Sequence, residues 1–145
     1  MISRWLKEIT DIPGVEGVLL VSMNGKIIEK IGTQFDRSIL EKISSHILRI
    51  ISAYNLDKKV VKDIEVIWYD YQILAVSSKD FIIIIFCGSM KALSLLRITL
   101  NVVVAHLLED KKSMKQIKKF TVDKKSVLDS TELEELEINL ISKLQ

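Results

Sequence analysis

Residues Phe81 to Cys87 read FIIIIFC, a run without one polar side chain. A strand with one wet face alternates apolar and polar residues, whereas a strand covered on both faces does not. The run is also far short of the roughly 20 apolar residues that cross a bilayer. It reads as the central strand of a sheet, so the rest of the chain must supply a layer over each face.

The flanking sequence supplies those layers. Ile2, Trp5, Leu6 and Ile9 recur at helical spacing and stop before Pro13-Gly14. The segment GVLLVSM, then Asn24-Gly25, then KIIEKI predicts a hairpin, because Asn-Gly tolerates the positive φ that a tight turn demands. From Asp36 to Tyr54 the period becomes helical, with Ile39, Leu40, Ile43, Ile47, Ile50, Ile51 and Tyr54 on one side and Ser38 with Glu41 as a capping box. Strands are expected at about 61–69, 71–77 and 81–87. Gly88-Ser89 ends the last of them, and a helix from near Lys91 carries the stripe Leu93, Leu96, Leu100, Val103 and Leu107. The expected order is α-β-β-α-β-β-β-α, an α/β (α+β) sandwich with a five-stranded antiparallel sheet between helical layers.

Past residue 110 the pattern changes. Leu93, Leu100, Leu107 and Met114 are seven apart, but Asp110 interrupts the parallel series Leu96, Val103, Ile117, so the helix either continues or frays there. Residues 111–125 are lysine-rich and 129–137 mostly acidic. The segment DSTELEELEINLISKLQ reads as a capped acidic amphipathic helix, with Leu133, Leu136, Leu140 and Leu144 as its stripe and Thr131 with Glu134 as its cap. Its pattern suits packing on its own domain or in a partner's groove. The expected division is 1–110 as the domain and 111–145 as an extension.

Among function classes, catalysis has little support. His46 and His106 fall on different helices, and neither has a Cys or carboxylate neighbour at metal-ligand spacing. No GxxxxGK[ST] or GxGxxG occurs, so the chain is neither a P-loop GTPase nor a Rossmann dinucleotide binder. No catalytic residue, cofactor or metal is expected. Arg97 lies between Leu93 and Leu100 on the apolar side of its helix; its stem is expected to pack there with the guanidinium at the rim, an ion pair with the first helix or a partner being the alternative. The basic run is read as a solvated face, with weak contact to an anionic membrane surface as the alternative. Its one aromatic, Phe120, is too little for base stacking, so no nucleic-acid partner is expected.

The totals agree. At 145 residues, 48% of them hydrophobic, the chain can withdraw roughly 70% of its unfolded surface from water. Cys87 is alone, which precludes an internal disulfide and suits a small buried hydrophobe in a reducing compartment. The opening MISRWLKEITDIPG has no apolar run of signal-peptide length. The expectation is a soluble, cytoplasmic protein without a transmembrane segment.

The short first helix, IPGVEGVLLVSMNGKII, the long second helix, three strands and a helix opening LSLLR together resemble the Roadblock family, also called the dynein light-chain Roadblock family. The resemblance covers about residues 1–110. LSLLR departs from the commoner LGLLR by Ser94. The resemblance implies a protein without an active site of its own, a homodimer or paralogue heterodimer joined through the second helix and third strand into one sheet. It further implies a Ras-like small GTPase as partner, or a scaffold or motor light-chain role.

The residues give separate reasons for that seam. Leu48 lies off the core stripe, with Ser44 one turn away and Glu41 and Ser52 nearby, and small serines allow a second helix to approach. In the third strand Ile64, Val66 and Trp68 fall on one face and Ile67 and Tyr69 on the other, an apolar edge that needs a cover; of these, the first four join Glu41, Ser44, Leu48 and Ser52. These eight positions are the candidate dimer interface. Lys42, Ser45 and Arg49, on the helix face opposite the core, are the candidate GTPase-binding residues. The rival readings are a structural adaptor with no effect on nucleotide state and, further off, a small-molecule sensor; isoleucine-filled strands leave few inward polar groups to orient a ligand.

Overall fold

The computed structural model describes residues 2–33, 35–56, 63–68, 71–89 and 91–127, without the side chains of 54–56, 68 and 121–127. The expected C-terminal acidic helix, the turn at Tyr69-Asp70 and the side chains of Tyr54 and Trp68 lie outside the described residues. Along the chain run α1 (Ile2–Thr10), β1 (Val15–Ser22), β2 (Ile27–Ile31), α2 (Arg37–Leu56), β3 (Asp63–Trp68), β4 (Tyr71–Ser77), β5 (Phe81–Cys87), α3 (Leu93–Glu109) and α4 (Lys111–Val127).

The five strands form one antiparallel sheet in the order β2-β1-β5-β4-β3. β5 is central, and all seven of its residues are buried. Its side chains divide by alternation. Phe81, Ile83, Ile85 and Cys87 join a core with α1, α3 and α4, while Ile82, Ile84 and Phe86 join a second core with α2. Each fully buried isoleucine or phenylalanine contributes about 1.5–3 kcal/mol, so this strand alone anchors both helical layers. That is why it carries no polar position.

The hairpin differs from the two-residue turn that Asn-Gly suggests. Gly25 N–H donates to the Ser22 carbonyl at 2.9 Å and Ser22 N–H to the Lys26 carbonyl at 2.9 Å, so the loop has three residues, Met23, Asn24 and Gly25, between Ser22 and Lys26. Gly25 takes φ 85°. This is the longer hairpin loop in which glycine supplies the left-handed position after a turn. The Ser22 hydroxyl also accepts from Lys26 N–H at 3.2 Å.

The Pro13-Gly14 break has a specific task. Gly14 has φ 95°, and a Cβ there would come within 2.5 Å of the Ser89 carbonyl oxygen. Its own carbonyl accepts from Gly88 N–H at 2.9 Å. The exit from α1 is thus tied to the end of β5 at a point where only glycine fits.

α2 buries Leu40, Ile43, Ile47 and Ile51 against the sheet, while Ile39 and Ile50 flank the stripe half-buried. The helix begins at Arg37, with Leu40 N–H donating to the Asp36 carbonyl. Ser38 therefore sits inside the first turn rather than at the cap, and the expected Ser38–Glu41 box does not form.

α3 stops at Asp110, which has φ −81° and ψ 107°. Its carboxylate accepts from Lys112 N–H at 3.2 Å and from the Ser113 hydroxyl at 2.6 Å, capping a new helix. The Ser113 bond, followed by the two backbone donors and the Lys112 charge, holds the Asp110 carboxyl below its ordinary value. α4 then buries Ser113 and Ile117, and Ile117 enters the α1–α3 core. Asp110 is a junction between two helices, which the heptad reading saw only as an interruption.

Candidate functional site

No described part of the chain gathers reactive groups. Among the described residues no three His, Cys, Asp or Glu side chains are placed to hold a metal ion. A small depression of about 210 Å³ is lined by Glu16, Gly32, Thr33, Phe35, Tyr71 and Phe86, below the ~300–1,000 Å³ of ordinary ligand sites. Cys87 is buried, and desolvation together with the Glu16 charge pushes its thiol up to about 11, so it is a poor nucleophile. His106 stacks flat on Trp5, ring centroids 4.3 Å apart, at the exposed rim between α3 and α1. His46 is exposed on α2.

The geometry draws attention to the α2 and β3 side instead. β3 pairs with β4 alone, leaving its other edge without a strand among the described residues. Ile64 and Val66 lean half-buried into the α2 core. Ile67, on the opposite face, is 78% exposed, more than any other large apolar side chain among the described residues. Such an edge, apolar and unpaired, is a template for a further strand.

α2 carries four of the eight candidate dimer positions and all three candidate GTPase-binding positions. Glu41, Lys42, Arg49 and Ser52 are exposed, and Ser45 is half-exposed. Glu41 accepts from Arg37 Nε at 3.4 Å, a solvent pair that contributes little. Leu48 is half-buried at the rim of the α2 core. Ser44 departs from expectation: it is fully buried, and its hydroxyl donates to the Leu40 carbonyl one turn back at 2.7 Å. A side chain already covered inside the protomer cannot touch a second copy. The hydroxyl is satisfied by the helix's own backbone, so Ser44 is buried without an unpaired polar atom.

Arg97 is paired rather than free at the rim. Its guanidinium reaches across to β3 and binds the Asp63 and Glu65 carboxylates, each at 2.7 Å. Asp63 and Glu65 were not singled out from sequence. Their alternation with Ile64 and Val66 is the signal, since it puts both carboxylates on the α3 side of the sheet. A second omission is the outer side of α3, where Leu95, Ile98 and Val102 are 51%, 62% and 45% exposed.

Taken together, these features define a sheet-and-helix module in which an edge strand, unpaired among the described residues, packs against a long amphipathic helix. No protein-family model matches the chain, and no curated protein sequence matches it significantly. Solved structures do match. A Roadblock/LC7 domain from Streptomyces avermitilis is 13% identical, covers 71% of this chain and 92% of its own, and has a TM-score of 0.61. MglB of Myxococcus xanthus is 15% identical over 73% of this chain and 90% of its own, with a TM-score of 0.62. An MglB with a tetrameric arrangement is 8% identical over 81% and 88%, with a TM-score of 0.61. The fold is that of the Roadblock/LC7 domains. At these identities the likeness is one of fold. No helix among the described residues is long and apolar enough to cross a membrane.

Proposed function

We propose that the chain is a dimeric regulatory scaffold for a Ras-like small GTPase. Two copies, or this chain and a paralogue, join through α2 and β3, and the joined platform modulates the GTPase's nucleotide cycle or localisation. The observation that carries this reading is the edge of β3, unpaired among the described residues, where Ile64 and Val66 lean toward α2 and Ile67, on the opposite face, is 78% exposed. A symmetry-related β3 removes that edge and extends the sheet to ten strands. Leu48, Glu41 and Ser52 on α2, with Ile64, Val66, Ile67 and Trp68 on β3, form the seam. Lys42, Ser45 and Arg49 face the GTPase, and the protein works by binding, with no chemistry of its own. The tetrameric MglB supports assembly on this fold.

The test pairs the full chain with purified Ras-like GTPases from the same genome in single-turnover hydrolysis and nucleotide-release assays. A change of tenfold or more in either rate, lost in Lys42→Glu and Arg49→Glu while the dimer persists, is expected. Binding without any rate change favours the structural-adaptor role. Absence of binding to every such GTPase contradicts the proposal.

A further inference from the structure

α3 is apolar on two opposite sides. Leu96, Leu100, Val103 and Leu107 are buried against the sheet, while Leu95, Ile98 and Val102, at i, i+3 and i+7, face outward with Ala105 exposed one turn beyond. Scattered surface leucines are ordinary, but a helix with an apolar stripe on each side is built to be covered on both. α4 follows α3 across the Asp110 junction and packs in the same layer, and its Lys111, Lys112, Lys115, Lys118 and Lys119 are all exposed. The ion pairs among the described residues use Arg37 and Arg97, not these lysines.

Residues 128–145 follow directly from the end of α4 and have the complementary character. Leu133, Leu136, Leu140 and Leu144 recur at helical spacing, and Asp129, Glu132, Glu134, Glu135 and Glu137 stand against one basic residue, Lys143. With Thr131 as its cap, a helix over 132–145 is about 21 Å long, more than the ~10 Å from Leu95 to Val102, so one pass covers the outer stripe and 128–131 are left for the reversal. Tethering places it at an effective concentration of order millimolar, above that of any free competitor. Pairing of two α3 faces, by contrast, brings two lysine-rich α4 helices toward each other.

We propose that residues 128–145 fold back on their own chain, seating their leucines on Leu95, Ile98 and Val102 and turning their acidic residues toward the lysines of α4. The α3 face is on the side of the sheet away from α2, so the proposal stands independently of the dimer and its GTPase.

Thiol accessibility in the full chain tests it, because the native Cys87 is buried and contributes little background. The Ile98→Cys thiol is expected to react with a maleimide at least tenfold more slowly than the Ser3→Cys thiol on α1, which is exposed. Adding Leu133→Glu, Leu136→Glu and Leu140→Glu should bring the two rates within twofold. The Val102→Cys thiol gives the same reading if the first variant folds poorly. Equal rates in the unaltered tail, or slow reaction that survives the three glutamates, overturn the proposal. So does protection that grows with protein concentration, which assigns the face to a second copy, or that requires added anionic vesicles, which assigns it to a membrane.

Discussion

Arg97 Nη2 on α3 lies 2.7 Å from Glu65 Oε1 on β3, while Nη1 holds Asp63 Oδ2 at the same distance. One guanidinium thus clamps two alternate residues of the edge strand to the helix that packs over its neighbours. All three side chains are roughly half exposed, so solvent screens the pair. Arg97→Met is expected to cost about 1 kcal/mol or less in urea unfolding at low salt, shrinking in 0.5 M salt. The larger effect should be local: faster amide exchange in β3, with β5 unchanged. A loss of several kcal/mol would contradict this.

The Asp110 junction predicts a pH effect with a definite sign. The folded carboxyl titrates below its ordinary value, so its capping contribution is present above the usual carboxylate range and is lost as pH falls through the lowered folded value. Amide exchange at the start of α4 should rise on acidification and in Asp110→Ala at neutral pH. Asp110→Asn, which keeps an acceptor, should retain most of the cap. Equal exchange in all three proteins would remove Asp110 from that role.

Cys87 predicts the reverse pH sense. Burial and Glu16 hold the thiol protonated up to about 11, against an ordinary value of 9.0, so the folded state loses stability as pH rises between those values. At pH 8 about a thousandth of it is thiolate. Alkylation should be very slow in native protein and fast in denaturant. Rapid native labelling would mean that the end of β5 opens.

Two substitutions separate the seam from the protomer. Ile67→Glu changes a side chain that is 78% exposed, so protomer stability should shift by no more than about 0.5 kcal/mol while assembly is lost. Leu48→Glu places a charge at the rim of the α2 core and should abolish assembly with some loss of stability as well. Light scattering with parallel thermal melts distinguishes these outcomes. Assembly that survives both variants moves the seam elsewhere.

The sheet was legible because its constraints are local. FIIIIFC admits one kind of strand, and the helical periods of α1, α2 and α3 show which side each one buries. What stayed hidden depends on tertiary placement. Ser44 looks like a flank residue on a wheel, yet it is fully buried beside Leu40 and Ile47. The register of the 22–26 loop turns on one hydrogen bond, and Asn-Gly alone does not fix it. Arg97 found its partners across more than thirty residues of sequence, which no local pattern encodes. The outer stripe of α3 was present in the spacing of Leu95, Ile98 and Val102, but the buried stripe alone accounts for a helix and drew the eye first.

The central claim is that the free edge of β3 is closed by a second β3. The mass of the full chain in solution, measured by multi-angle light scattering from one to one hundred micromolar, tests it most directly. The account predicts twice the 16.6 kDa of one chain, falling to one chain in Ile67→Glu. A single-chain mass throughout that range, with no paralogue able to join it, would contradict the account.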